Sequence, residues 1–169
     1  IQVNLWDDVA TVSRGQAAAL FNRGLFAAAA QAFREIEVRV SGGQKPTYRA
    51  FADLADGYAL WDSLHYRHAW DKLKTSAKAL ELASVWGGPP GVKALLPAIK
   101  ANAGFLERLV LDAAPVKEVL PLDLLAQAGR RLHVAHDPET GMRAVLRALE
   151  AFAQRQLFKQ HPITTWDVR

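Results

Sequence analysis

Cysteine is absent from this chain of 169 residues, so neither a disulfide framework nor a thiolate metal site can form. The absence fits a reducing compartment, and a cytoplasmic location is the expectation. No uninterrupted apolar run approaches the roughly 20 residues that span a bilayer, and no contact with a membrane is expected. The opening stretch IQVNLWDDVA lacks the basic start and apolar core of a secretion signal. Runs of β-branched residues are scarce, and no run of five or more basic residues occurs. The first residue is not Met and the last residues are TTWDVR, so the chain reads as a piece of a longer protein.

What remains is the composition of a packed domain, with 50% of residues hydrophobic and 22% charged. The net charge of +4 is small for the length and spread along the chain. Alanine and leucine dominate, and apolar residues recur three and four positions apart in nearly every segment, the spacing of helices buried on one face. Turn signals interrupt them at NRG (22–24), SGGQKP (41–46), GGPPG (87–91), AAP (113–115) and HDPETG (136–141). The sequence predicts a single all-α domain over 1–169, an irregular bundle of about seven helices built from antiparallel hairpins.

Two segments can be laid over each other. LFNRGLFAAAAQAF (20–33) and LWDSLHYRHAWDKL (60–73) share an aromatic at Phe26 or Tyr66, a small residue at Ala29 or Ala69, and a large apolar residue at Phe33 or Leu73. A small residue lets the second helix of a hairpin approach the first, as in tetratricopeptide units. A weaker third copy, AHDPETGMRAVLRALEAF, offers Ala144 and Ala148 as the small positions. Its turn is well specified: Asp137 suits an N-cap, Pro138 the first helical position, and Glu139 the positive end of the dipole. A helix is predicted from 138 to about Gln160, stopped by Pro162, with Val145, Leu149, Phe152 and Leu157 as its apolar stripe.

The residues that could carry chemistry lie in RRLHVAHDPETG (130–141). Arg131 and His136 are five apart, with a helix end predicted between them; a His beside the 2′-hydroxyl and an Arg beside the phosphate could cleave RNA without metal. Arg130 and His133, three apart on that helix, are a second geometric pair. The commoner reading is that an Arg near a helix C-terminus answers the dipole and a His before Asp-Pro is ordinary surface chemistry. His65 and His68 are also three apart but lack a third ligand, so no metal or other cofactor is expected. Asp53, Asp56 and Asp62 read as a solvated flank, GGPPG lacks the lysine of a phosphate loop, and Trp61, Trp70 and Trp86 read as core or hairpin-interface residues.

Three stretches together resemble the helical C-terminal region of CRISPR-associated proteins that carry an N-terminal CARF sensor. They are AALFNRGLFAAAAQAFREI, YALWDSLHYRHAWDKL and LLAQAGRRLHVAHDPETGMRAVLRALEAFAQRQLF, and the tail HPITTWDV is similar to the family's close. The resemblance implies a role in antiviral defence and a sensor, outside this sequence, that binds cyclic oligoadenylate. It further implies a helical part that either transmits the signal or acts as an HEPN-like, metal-independent ribonuclease on single-stranded RNA. In that resemblance, HEPN sites use an Arg and a His separated by four to six residues, with a polar residue after the Arg, completed by a two-fold partner. Arg131 and His136 meet the spacing, whereas Leu132 departs from the pattern. Two functions follow as alternatives within the resemblance, a scaffold that couples and homodimerises without chemistry of its own and that ribonuclease; outside it, a third is a tetratricopeptide-like peptide-binding module with a concave groove lined by the hairpin aromatics.

Overall fold

The computed structural model describes residues 5–85, 88–89, 91–111 and 119–162. These form seven helices and, among the described residues, no strand: α1 (Leu5–Asn22), α2 (Phe26–Arg39), α3 (Lys45–Asp62), α4 (Tyr66–Val85), α5 (Val92–Leu111), α6 (Leu120–His133) and α7 (Pro138–Gln160). The predicted all-α class and hairpin organisation are what is found. The chain divides into two compact units, Ile1–Val110 and Leu111–Arg169. The AAP break, Trp86 and the tail after Pro162 lie outside the described residues, as does part of GGPPG.

In the first unit α1 pairs with α2, α2 with α3 and α3 with α4. The turns within the two overlaid segments close in the same way. The Gly24 N–H donates to the Phe21 carbonyl at 2.9 Å and the Leu25 N–H reaches back to Leu20 at 3.0 Å. Forty residues on, Leu64 donates to Trp61 and His65 to Leu60, both at 2.9 Å. This is the paired closure of a helix end through a left-handed residue, and Gly24 (φ 77°) and Leu64 (φ 63°) supply that residue. A leucine there carries strain that Gly24 does not.

The overlay also places the core. Ala29, Ala69 and Leu73 are fully buried, Phe33 almost so, and Tyr48, Leu80, Leu106 and Leu109 fill the interior. Gly57 on α3 lets α4 come close: a Cβ at that position would fall on Leu73 Cδ1 and stand 3.2 Å from Lys72 Cβ. Aromatic rings join the helices. Tyr58 meets Phe21 edge-on at 5.0 Å and stacks on Trp61 at 5.8 Å, and Trp61 stacks in turn on Phe105 at 5.8 Å. Trp70 is buried beneath two cations, Lys74 at 4.0 Å and Arg67 at 5.2 Å from its ring centre. Trp61 and Trp70 are thus packing residues, as the sequence indicates.

The second unit is the α6–α7 hairpin. Gly141, Ala144, Ala148 and Ala151 form the buried face of α7, and Pro121, Asp123, Leu124, Gln127 and Ala128 that of α6. Ala144 and Ala148 are small contact positions, as expected. The predicted apolar stripe is not the packed face, however: Leu149, Phe152 and Leu157 are exposed, together with Met142 and Leu146. The small residues draw α6 and α7 together so closely that the large ones, one step round the helix, are turned outward.

Candidate functional site

The cation-rich residues singled out by the sequence gather at one end of α6–α7. The last turn of α6 carries Arg130, Arg131 and His133. Val134 and Ala135 both donate their N–H groups to the Arg130 carbonyl, at 2.8 and 3.1 Å, and the Asp137 N–H closes the turn on the Arg131 carbonyl at 2.9 Å. Between them His136 takes a left-handed conformation (φ 53°), standing two residues before its helix as Gly24 and Leu64 do before theirs. Asp137 then caps α7 by accepting from the Thr140 N–H at 3.1 Å, with Pro138 in the first turn, as the sequence predicts.

Arg131 and His136 therefore flank the same turn. Arg131 is half-buried and His136 exposed. Burial pushes the Arg130 guanidinium down from its ordinary value, and the charge of Arg131 beside it acts in the same direction. The Asp137 carboxyl is held below the usual carboxylate range, first by hydrogen bonding to Thr140 and then by the charges of Arg131 and Arg143. Arg143 also pairs with Glu139 at 2.6 Å. Two acidic groups thus moderate a turn whose other charged residues are cationic; it can receive an anion, and an imidazole stands at its surface.

The other candidates are placed as follows. His65 occupies the α3–α4 turn and His68 the first turn of α4, both exposed, and no group of three or more metal-ligating side chains occurs among the described residues. Asp53 and Asp56 are not merely a solvated flank. Asp56 pairs with Arg34 of α2 and Lys72 of α4, and Asp53 pairs with the same Lys72, so one acidic edge of α3 is tied to both neighbouring helices. Opposite charges at unrelated sequence positions gave no local signal of this. Sequence reasoning also missed the buried pair on α6, where Gln127 donates to Asp123 at 2.7 Å.

Helical hairpins, three of them closed through a left-handed residue and one of those turns lined with cations, define an all-α helical bundle. Residues 9–106, more than half of the chain, match the Csm6 6H domain, and the chain belongs to that family. It is a helical domain of a Csm6-type, CRISPR-associated defence protein, as the resemblance implied at the coarser level. The match ends within α5, so α6 and α7 lie beyond it. No curated protein and no solved structure matches the chain. No helix among the described residues is long and apolar enough to cross a membrane.

Proposed function

We propose that this chain is a coupling and dimerising scaffold of a cytoplasmic Csm6-like defence protein. It has no chemistry of its own and responds to cyclic oligoadenylate bound by a CARF sensor elsewhere in the protein. The observation that carries the reading is the exposure of large apolar residues on the second unit, Leu122 and Leu125 on α6 and Met142, Leu146, Leu149 and Phe152 on α7. Scattered apolar residues are ordinary on a surface, but six large ones on two packed helices are the mark of an interface. A second copy presenting the same face would bury them symmetrically. Sedimentation of the chain at micromolar concentration is expected to show a dimer, and Leu146→Glu with Phe152→Glu a monomer of unchanged helix content. A wild-type monomer at that concentration sinks the reading.

A second reading rests on the cation-rich turn. There Arg131 would bind the scissile phosphate of single-stranded RNA and His136 would position or deprotonate the 2′-hydroxyl, in the manner of HEPN ribonucleases, with a two-fold partner completing the site. Its support is that both residues, with Arg130, His133 and Arg143, belong to one turn and the helix ends beside it. Labelled RNA incubated with the parent protein, with and without cyclic oligoadenylate and EDTA, decides it. Ligand-dependent cutting that survives EDTA and is lost in both Arg131→Ala and His136→Ala would replace the scaffold reading; cutting absent, or retained by both variants, would leave the turn as a helix boundary.

A further inference from the structure

The first unit encloses a feature that neither reading uses. A cavity of about 580 Å³ opens among α1, α2, α3 and α5. Its deep wall is apolar, formed by Phe33, Phe51, Leu54, Val92 and Ile99, all of them buried. Along α1 the lining residues fall at 11, 14–15, 18 and 21–22, one face of a helix, and two of them, Gly15 and Ala18, are too small to fill the space in front of them. A Cβ added at Gly15 would meet no atom within 4 Å. The void is therefore a product of small residues on α1 facing large ones on α2 and α3.

Polar groups are few and unequal. The Tyr58 phenol is engaged, accepting a hydrogen bond from Asn102 at 2.6 Å, and burial pushes it above its ordinary value, so it presents a neutral, satisfied wall. Thr11 and Asn22 mark the exposed margin. Arg14 is the one charged residue among the described lining, and it has neither ion pair nor hydrogen bond among the described residues. It is half-buried at the edge of apolar space, where a guanidinium gains most from an anionic partner.

We infer that this cavity binds a small amphipathic carboxylate, its aliphatic body against Phe33, Phe51, Leu54 and Ile99 and its carboxylate on Arg14. Size favours a small molecule. The volume lies in the range of about 300–1,000 Å³ typical of such sites, which are mostly apolar with a few oriented polar groups. Sixteen described residues line it, fewer than the roughly 20–30 that a stable protein interface uses on each side. The sign of the ligand follows from Arg14, because no carboxylate stands among the described lining residues to receive a cation.

The test is calorimetric titration of decanoate, and of decanol as its uncharged counterpart, into the whole chain. Wild type is expected to bind decanoate in preference to decanol, and Arg14→Gln to weaken decanoate about tenfold, the loss of one charge-assisted pairing, while leaving decanol unchanged. Gly15→Leu, whose added side chain enters open space, is expected to abolish binding of both while helix content and melting temperature are kept. No decanoate binding by wild type, binding undiminished in Gly15→Leu, or a preference for decanoate that survives Arg14→Gln would each overturn the proposal. The Leu146→Glu, Phe152→Glu chain is expected to bind decanoate as wild type does. Loss of binding there would put the ligand on α7 and overturn the cavity assignment, whatever the oligomeric state proves to be.

Discussion

The two units pack helices by opposite devices. In the first, small residues at Ala29, Gly57 and Ala69 bring helices close while Phe33, Phe51 and Leu73 fill the space between them, and aromatic rings run from α1 to α5. In the second, α6 and α7 meet through Gly141, Ala144, Ala148 and Ala151, and the large residues of α7 are left outside. The first arrangement turns its large residues into the core, whereas the second leaves several of them at the surface. Burial of a large aliphatic side chain stabilises by about 1.5–3 kcal/mol, so the hairpin forgoes several such contributions.

The sharpest test sets two leucines against each other. Leu73 is fully buried on α4 and Leu149 is 59% exposed on α7. Chemical denaturation is expected to show Leu73→Ala less stable by about 2–5 kcal/mol, the cost of an emptied core site. Leu149→Ala, measured at a concentration that keeps the chain monomeric, should change stability by no more than about 0.5 kcal/mol. Equal losses would mean that the α7 face is already packed and would erase the contrast.

A smaller effect is expected where the helices approach most closely. Alanine at Gly57 would press its Cβ on Leu73 and approach the Lys72 Cβ and Leu73 backbone nitrogen, neither of which can move without shifting α4. Gly57→Ala should lower stability by about 1–2 kcal/mol despite the better helix propensity of alanine. At Gly141 the added Cβ meets Leu132 Cγ at 2.8 Å, and Leu132 is only half-buried and able to turn aside. Gly141→Ala should therefore cost less than half as much, and the reverse order would show that the second hairpin is the tighter one.

The smallest effect concerns the cap of α7. Because the folded carboxyl of Asp137 titrates below its unfolded value, it contributes stability above the ordinary carboxylate range, and that contribution is lost as pH falls through the folded value. Asp137→Ala should melt below wild type at neutral pH. The gap should close as the solution is taken below about pH 3.9, the value of an unperturbed aspartate, and toward the lower folded value. A gap unchanged down to pH 2 would mean that the cap does not depend on the charge.

The hairpins of the first unit were legible because local rules and packing agree there: NRG and DSLH break two periodic runs, and the residues at equal offset behind them face the same kind of neighbour. The cap at Asp137 was legible for the same reason. What escaped is non-local or depends on rotation about a helix axis. The stripe Val145, Leu149, Phe152 and Leu157 has the right period for a buried face, but period alone does not say whether the large residues or the small ones beside them turn inward. Nor does it show that Asp53 and Asp56 share Lys72. Of the candidate site, the sequence located the turn and its cations, whereas the left-handed geometry of His136 and the carbonyl contact of Arg131 required coordinates.

In the proposed dimer, a chain that wears large apolar residues on the outside of its last helix would have a stability tied to its own abundance. Each Leu146 or Phe152 covered in that dimer would favour the folded, associated form over the unfolded one by mass action, so the midpoint of thermal unfolding should climb as protein is added. In a cell the proposed association would act as a threshold, each copy protecting the next once copies accumulate.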